Sequence, residues 1–346
     1  MSAVRVLIVD DSPTMRAVIE AALKRDPDIE VVGSAGDPLE AREAIKALNP
    51  DVLTLDIEMP NMDGLAFLEK IMRLRPMPVV MVSTLTQRGA DATLRALEIG
   101  AVDCVAKPTS LQGADGALAD LAHRVKCSAR ANVRPRTPTD QPRAPRTVSD
   151  PYEPDGSVIA IGASTGGVEA LLELVSALPA NCAPVVITQH MPASFTGSFA
   201  ARLDRGCAAQ VAEAYDGAPL SPGKVWLAPG GATHLEVVAR SSGHHCRLRT
   251  ADPVSGHRPS VDVLMNTVSD AAGERAVGVI LTGMGRDGAA GLQRLHEAGG
   301  RTLGQDEATC IVYGMPKAAF QLGAVQRQLP IHRIGSTLVT MTNRRS

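Results

Sequence analysis

Apolar and polar positions alternate in blocks along the first third of the chain. Five short apolar runs, most of them rich in β-branched residues, are separated by longer segments whose apolar residues recur at helical spacing. The runs lie at residues 4–9, 29–35, 52–55, 79–82 and 103–106. Ser12 is placed to cap the first helix, predicted over residues 13–25, with Pro13 at its first position. Strands that alternate with helices predict a parallel sheet covered on both faces.

A second set of alternating elements fills the C-terminal part of the chain. Its apolar runs lie at residues 158–161, 184–188, 225–228 and 277–281. We therefore predict a second α/β domain over residues 156–340, doubly wound around a mostly parallel sheet. The first domain covers residues 1–125. Residues 126–155 are rich in Pro, Arg and small polar residues, which is typical of a linker.

Composition and charge exclude several classes of protein. The net charge of −2 gives no global field that would attract nucleic acid or an anionic membrane. Aromatic residues make up 2 % of the chain, which leaves little surface on which bases could stack. No apolar run is long enough to span a bilayer, and the acidic start does not fit a signal peptide. We expect a monomer that binds no nucleic acid and does not insert into a membrane.

The six cysteines are scattered and form no C-x-x-C pair, which indicates free thiols in the cytoplasm. One of them belongs to His244-His245-Cys246, a group of metal-binding residue types. This group lies in a polar stretch that we predict to be irregular, and it lacks partners at the spacing of a zinc site. The sequence therefore predicts no metal site in this stretch.

Polar residues follow the predicted strands of the first domain: Asp10 and Asp11, Asp56, Ser83 and Thr84, and Lys107. Because the carboxyl ends of parallel strands meet at one edge of the sheet, these side chains should lie together. Three gathered carboxylates repel one another and need a cation. Hard oxygen ligands suit Mg²⁺, which also binds phosphate oxygens. A lysine and a hydroxyl in the same cluster would contact an incoming phosphoryl group.

The turn after the run at residues 158–161 places a hydroxyl where a nucleophile would lie. In GASTGG the strand breaks sharply into a helix, so Ser164 is held above the sheet. The N–H groups of Thr165, Gly166 and Gly167 are predicted to be free and to form an oxyanion site. The letters satisfy the G-x-S-x-G pattern of hydrolases. A glycine-rich turn that binds phosphate, or that only packs, fits the same letters.

His190 and Asp287 follow two further predicted strands. If these strands neighbour the one before Ser164, the three side chains converge, because adjacent strands are only about 5 Å apart. The set then supplies a nucleophile, a base and a carboxylate that orients the base. Its chain order differs from the Ser, Asp, His order of α/β-hydrolases, which argues against that fold. An alternative triad would use His257 or His296 with Asp216 or Asp262.

The segments VLIVDDSPTMR, LDIEMPNMDGL, VST and AKP resemble the receiver domain of two-component response regulators, which has a flavodoxin-like (βα)5 fold. The resemblance implies that Asp56 accepts a phosphoryl group from a histidine kinase, that Ser83 is the switch hydroxyl and that Lys107 contacts the phosphate. The implied Mg²⁺ ligands are Asp10, Asp11, Asp56 and the backbone carbonyl of Glu58. Receivers usually carry an aromatic residue three positions before the lysine, where this chain has Cys104.

Six segments of the second domain resemble the catalytic domain of CheB-type chemotaxis protein-glutamate methylesterases. They are IGASTGG, TQHMPASFTGSFAARLD, APGGATH, HRPSVDVL, LTGMGRDGAAGL and GQDEATCIVYGMP. The resemblance implies that Ser164 is the nucleophile, His190 the general base and acid, and Asp287 the orienting carboxylate. It also implies an oxyanion contact from the backbone N–H of Met284, in addition to Thr165.

The resemblance further implies a phosphorylation-activated enzyme of chemotaxis. It would hydrolyse glutamyl methyl esters on methyl-accepting chemoreceptors to glutamate and methanol, and it would deamidate receptor glutamines. A chemotaxis histidine kinase would be the phosphodonor, Mg²⁺ would serve the receiver only, and the esterase reaction would need no cofactor. The unphosphorylated receiver would block the active site. The non-catalytic alternative is a receiver that gates a phosphate-ligand-binding module, although the GASTGG turn lacks a P-loop lysine and the G-x-G-x-x-G spacing.

Overall fold

The computed structural model describes residues 3–59, 63–84, 87–107, 118, 120–133 and 152–344. The chain divides into two compact units, Met1–Asp140 and Gln141–Ser346. Each unit is built on its own sheet. Among the residues described, no helix combines the length and the apolar character that crossing a bilayer requires.

The N-terminal unit contains a five-stranded parallel sheet in the order β2-β1-β3-β4-β5. Its strands are β1 (Val4–Val9), β2 (Ile29–Ala35), β3 (Val52–Asp56), β4 (Val79–Ser83) and β5 (Asp103–Ala106). The five predicted strands are thus confirmed. The order reverses between β1 and β3, and ligands of open α/β sheets bind at such a point.

Helices cover this sheet: α1 (Pro13–Leu23), α2 (Pro38–Leu48), α3 (Gly64–Leu74), α4 (Gln87–Ile99) and α5 (Leu121–Ser128). The predicted cap of α1 is confirmed, because the Ser12 hydroxyl accepts a hydrogen bond from the N–H of Met15 at 3.3 Å. Helix α1 ends two residues before the predicted boundary. Ile19 and Leu23 of α1 and Leu121 and Val125 of α5 pack against the sheet, which gives this unit its core. Of the predicted linker, residues 134–151 lie outside the described residues.

The C-terminal unit contains a seven-stranded parallel sheet in the order β14-β13-β12-β6-β7-β9-β8. Its strands are β6 (Val158–Ala163), β7 (Val185–Gln189), β8 (Gln210–Glu213), β9 (Lys224–Leu227), β12 (Ala276–Ile280), β13 (Arg301–Gln305) and β14 (Arg327–Leu329). Strand β6 lies between β12 and β7, so the strands before Ser164, His190 and Asp287 are neighbours, which was the condition for their side chains to converge. The order reverses between β6 and β12, which places the turn at Ser164 at this sheet's switch point.

The helices of this unit are α6 (Gly167–Ser176), α7 (Ala193–Arg205), α8 (Val261–Ala272), α9 (Ala289–Glu297), α10 (Met315–Gln321) and α11 (Ile331–Met341). A short 3₁₀ turn, Gly273–Arg275, follows α8. Leu264, Met265 and Val268 of α8 are fully buried and pack with Leu292 and Leu295 of α9 in one core. Both predicted α/β folds are therefore confirmed.

A separate two-stranded antiparallel hairpin joins β10 (Thr233–Arg240) to β11 (Gly243–Thr250). The prediction that His244-His245-Cys246 is irregular is wrong. Cys246 is fully buried in the core, while Arg247 and Arg249 on the other face are exposed. The alternation of period two in β11 is therefore a strand pattern, which the high content of polar residues concealed.

Candidate active site

Ser164 directly follows β6, at the point where the chain turns into α6. Its N–H donates to the carbonyl of Thr282 at 3.0 Å, which ties the turn to the segment after β12. The Thr282 hydroxyl donates to the carbonyl of Thr165 at 3.0 Å. Gly166 has φ +78°, a conformation that favours glycine, and caps α6. These contacts hold Ser164 at the edge of the sheet with 7 % of its surface exposed.

The backbone N–H groups that were predicted to bind an oxyanion are not all available for that contact. The N–H of Gly167 donates to the carbonyl of Ser164 at 2.7 Å, so the prediction that this group is free is wrong. Met284 lies in the loop after β12, next to Gly283. A Cβ on Gly283 would lie 2.8 Å from the Cβ of Ser164, so this loop packs directly against the serine. The loop that contains Gly283 and Met284 therefore lies beside the turn at Ser164.

His190 follows β7, at the position next to Ser164 across the sheet. Ala163 and Gln189 are register partners at the ends of β6 and β7, and the N–H of His190 donates to the carbonyl of Ala163 at 3.1 Å. The Nε2 of His190 lies 2.7 Å from Oδ2 of Asp287. Its Nδ1 is buried and makes no hydrogen bond to the described residues. Nδ1 is therefore the ring nitrogen that remains available as a proton acceptor.

Asp287 is held by the start of α8 as well as by His190. The N–H of Val261 donates to its Oδ2 at 2.7 Å. The hydroxyl of Ser260 and the N–H of Asp262 donate to its Oδ1 at 2.8 Å and 3.1 Å. Burial alone raises the pKa of Asp287, but the hydrogen bond and charge of His190, together with Val261 and Ser260, lower it to about 2. The carboxylate is thus ionised at neutral pH.

Gln189 links Ser164 and His190 through their backbone carbonyls. Its side-chain amide donates to the carbonyl of Ser164 at 2.9 Å and to the carbonyl of His190 at 3.2 Å. The sequence analysis gave no role to Gln189, Thr282 or Ser260. A fully buried amide at the end of an apolar strand needs hydrogen-bond partners, and that signal was available for Gln189.

The alternative triad residues have other contacts. His296 on α9 is hydrogen-bonded through Nδ1 to the Gln326 amide at 3.1 Å. Asp216 accepts from the N–H of Leu248 at 3.0 Å. Asp262 accepts from the N–H of Gly291 at 2.7 Å, and burial, with the nearby Asp287 carboxylate, raises its pKa. His257 stacks on the ring of His190, with the ring centroids 3.7 Å apart.

The N-terminal unit brings its predicted acidic residues together. Carboxylate oxygens of Asp10, Asp11 and Asp56 lie within 4.8 Å of one another. Lys107 Nζ lies 2.8 Å from Oδ2 of Asp10 and 2.8 Å from Oδ2 of Asp56. Asp10 and Asp56 are buried, whereas Asp11 is exposed. The cluster combines hard oxygen ligands with one cation, in a position open to solvent through Asp11.

The charge state of Asp56 reflects this environment. Burial raises its pKa to about 6, against the lowering effect of the Lys107 ammonium. The N–H of Glu58 donates to Oδ1 of Asp56 at 3.3 Å. Ser83 ends β4, and its carbonyl accepts from the N–H of Lys107 at 2.7 Å. The predicted switch hydroxyl and lysine are therefore adjacent in the backbone.

Cys104 lies in the middle of β5, opposite Met81 of β4. Its side chain is buried, and burial raises the pKa of its thiol to about 12. The thiol is therefore neutral and fills apolar space where receivers usually carry a ring. Cys104 therefore offers no ring whose rotation could report phosphorylation.

Two sheets with polar clusters at their switch points define a class of protein. One unit gathers three aspartates and a lysine, as predicted for a receiver, and the other brings a serine, a histidine and an aspartate to neighbouring strand ends, as predicted for a serine hydrolase. Residues 6–116 match the family described as response regulator receiver domain, and residues 159–338 match the family described as CheB methylesterase. The chain belongs to the CheB methylesterase family, and the resemblance seen in the sequence is confirmed.

Relatives match over the full length of the chain. A protein of Caulobacter vibrioides named protein-glutamate methylesterase/protein-glutamine glutaminase 1 is 64 % identical and covers 100 % of both chains. An Agrobacterium fabrum protein named protein-glutamate methylesterase/protein-glutamine glutaminase is 60 % identical over 99 % of this chain and 97 % of its own length. The crystal structure of the Thermotoga maritima CheB methylesterase catalytic domain superposes with a TM-score of 0.53 and 37 % identity. It covers 54 % of this chain and 99 % of that domain.

Proposed function

We propose that this chain is a phosphorylation-activated protein-glutamate methylesterase and protein-glutamine glutaminase, which acts on methyl-accepting chemoreceptors in the cytoplasm. The observation that carries the proposal is the buried 2.7 Å contact between His190 and Asp287, next to the strand end that bears Ser164. Full-length relatives with this pair of activities in their names support it. A chemotaxis histidine kinase would supply the phosphoryl group, and the chain would act as a monomer.

In the esterase reaction, the hydroxyl oxygen of Ser164 attacks the carbonyl carbon of the glutamyl methyl ester. The Nδ1 of His190 accepts the serine proton and returns it to the leaving methoxide, so methanol departs and an acyl-serine remains. Water, deprotonated by the same nitrogen, then releases glutamate and the free serine. With a glutamine substrate the leaving group is ammonia. Backbone N–H groups of Thr165 and Met284 stabilise the oxyanion in each step.

Asp287 orients His190 and stabilises the imidazolium that forms. Its four hydrogen-bond donors fix the carboxylate, so the Nε2–H of His190 has one direction in which to point. This leaves Nδ1 as the basic nitrogen. The proton moves between Ser164, His190, the leaving group and the hydrolytic water, while the lowered pKa of Asp287, about 2, keeps this carboxylate ionised.

In the N-terminal unit, Asp56 is the phosphoryl acceptor. The oxygen set of Asp10, Asp11 and Asp56 fits a hard divalent cation, and the Glu58 carbonyl would complete the protein ligands. Bound Mg²⁺ would neutralise phosphate charge during transfer. Lys107 is already within 2.8 Å of Asp56, where it can pair with the added phosphate, and Ser83 supplies a hydroxyl.

We assign residues 1–125 to the receiver, 126–155 to the linker and 156–340 to the catalytic domain. The family matches at residues 6–116 and 159–338 support these boundaries. The non-catalytic alternative is not favoured. A phosphate-binding turn needs free N–H groups, and the N–H of Gly167 is occupied by the Ser164 carbonyl.

The test uses a fluorophosphonate probe and methanol release from methylated receptors. The wild-type chain should label, and Ser164→Ala should not. Phosphodonor with Mg²⁺ should raise methanol release by the full-length protein. Ser164→Ala and His190→Ala should each lose about 10³-fold or more, and the double variant should be little worse, because the two residues act as a unit. Labelling of Ser164→Ala at the wild-type rate would refute the assignment of the nucleophile.

A further inference from the structure

His257 lies against the catalytic base without belonging to the triad. Its ring stacks face to face on His190, with the centroids 3.7 Å apart and the planes 9° apart. His257 is half-buried at the end of an otherwise exposed loop. The loop is closed by two backbone hydrogen bonds between Val254 and His257, at 2.9 Å and 3.0 Å. The near-parallel planes and the short centroid distance place the face of the His257 ring directly against the face of the His190 ring.

The residue next to it anchors the loop. The guanidinium of Arg258 donates to the carbonyl of Gly231 at 2.6 Å and to the carbonyl of Ala251 at 2.8 Å. Two residues further on, the Ser260 hydroxyl donates to Asp287. The segment that carries His257 is thus anchored by the hydrogen bonds of Arg258 and by the hydrogen bond from Ser260 to Asp287.

The ring of His190 needs such a support. Among the described residues, Nε2 has the Asp287 contact and Nδ1 has no hydrogen-bond partner. A ring held by one hydrogen bond can pivot about the line of that bond, and pivoting moves Nδ1 away from the serine. A flat side chain pressed on its face prevents the pivot. The proton-accepting nitrogen must be held within a fraction of an ångström and a few tens of degrees for efficient transfer.

We propose that His257 is a positioning residue for His190, which acts through the face of its ring and not through its nitrogens. The proposal rests on the triad proposed above. A ring without nitrogens should therefore preserve the rate at position 257, whereas removal of the ring should lower the rate of the chemical step. A residue that acts only through His190 changes the chemical step and not substrate binding, so the KM for the receptor should not change.

The experiment compares His257→Phe and His257→Ala in the full-length protein, with His332→Ala as the control. His332 is an exposed histidine on α11, in the same unit. The first readout is the second-order rate of labelling by a fluorophosphonate probe, which needs only an activated serine. The second is kcat and KM for methanol release from methylated receptors, with phosphodonor and Mg²⁺ present.

We expect His257→Ala to lower the labelling rate and kcat by about five- to tenfold, which corresponds to the loss of one ring stack. KM should stay within about twofold of the wild-type value. His257→Phe should keep both rates within about twofold, and His332→Ala should be unchanged. Melting temperatures check that each variant is folded. If His257→Ala does not fold, the rate of His257→Phe still decides between ring face and nitrogens.

Three results would overturn the inference. Equal losses in His257→Phe and His257→Ala would mean that a nitrogen does the work. A rise in KM at unchanged kcat would mean that His257 contacts the substrate. A wild-type labelling rate in His257→Ala, with Ser164→Ala unlabelled, would show that the stack does not position the base. Labelling that persists in Ser164→Ala would instead refute the proposed function itself, so the two failures are distinguishable.

Discussion

Substitution of Gly162 should disable the active site indirectly, by displacing Val261, whose backbone N–H holds Asp287. A Cβ on Gly162 would lie 2.1 Å from Cγ1 and 2.9 Å from Cγ2 of Val261. On its other side, the same Cγ1 lies 2.4 Å from the place where a Cβ of Gly288 would be. Val261 is therefore enclosed between two glycines, and its backbone N–H donates to Asp287 at 2.7 Å.

Gly162→Ala forces Val261 to move, and the cradle formed by Gly162 and Gly288 around Val261 leaves no space for that movement. Ordinary contacts of a Cβ begin at 3.4 Å, so Val261 has to move by roughly 1 Å, and the start of α8 moves with it. Overpacking of this kind costs about 1–3 kcal/mol of stability. A shift of about 1 Å in a group that aligns the base can cost about 10²-fold in rate. We expect kcat to fall by about 10- to 100-fold with KM little changed.

The assay is methanol release by the activated full-length protein, with urea unfolding in parallel. Gly197→Ala on α7 is the control, because its Cβ would meet nothing closer than Glu213 Oε2 at 3.8 Å. Val261→Ala in the Gly162→Ala background removes the clashing methyl groups and should recover part of the lost rate. Wild-type activity in Gly162→Ala, or no recovery in the double variant, would show that this cradle does not align Asp287.

Three further outcomes follow from the structure. The folded-state pKa of Asp287 is lowered to about 2, so ionised Asp287 stabilises the fold above about pH 4. This stabilisation is lost as the pH falls through about 2. Over that range the free energy of unfolding of wild type, measured in urea, should fall by about 2 kcal/mol more than that of Asp287→Asn. Asp56→Asn should gain no phosphoryl mass from a small phosphodonor with Mg²⁺ present, whereas wild type should gain one; equal gain refutes the acceptor. Gln189→Leu should lose about 1–3 kcal/mol of stability, because it removes the side-chain donor of the His190 carbonyl and leaves the Ser164 carbonyl with the N–H of Gly167; an unchanged urea midpoint contradicts this.

The sequence predicted those parts of the site that depend on local pattern. Ser164 and His190 stand directly after apolar strands, so their position at the sheet edge follows from strand ends alone. The adjacency of the three strands was a condition of the argument, because strand order depends on contacts far apart in the chain. The sequence analysis also missed two contacts: the stack of His257 on His190 and the hydrogen bond from the Ser260 hydroxyl to Asp287. Both residues belong to a loop whose course the local pattern does not determine.

The same reasoning explains where the hairpin was misread. Strand β11 contains three histidine or cysteine residues and two arginines, and this polar content hid its alternation. Glu236 on β10 is buried, yet its carboxylate pairs with Arg247 and with Arg249 across the hairpin. The partner of these arginines lies on the other strand of the hairpin. A prediction that considers one segment at a time does not include this partner, and it therefore assigns a charged segment to a loop.

Asp287 shows why the triad depends on more than its three members. A carboxylate buried with only His190 as partner would lose its stabilisation whenever the imidazole became neutral, and burial would raise its pKa. Here the N–H groups of Val261 and Asp262 and the hydroxyl of Ser260 donate to it as well. These donors lie at the N-terminus of α8, where the helix dipole favours a negative charge. These donors favour the ionised form of Asp287 independently of the charge on His190, which suits a carboxylate that would orient the base before proton transfer and stabilise the imidazolium after it.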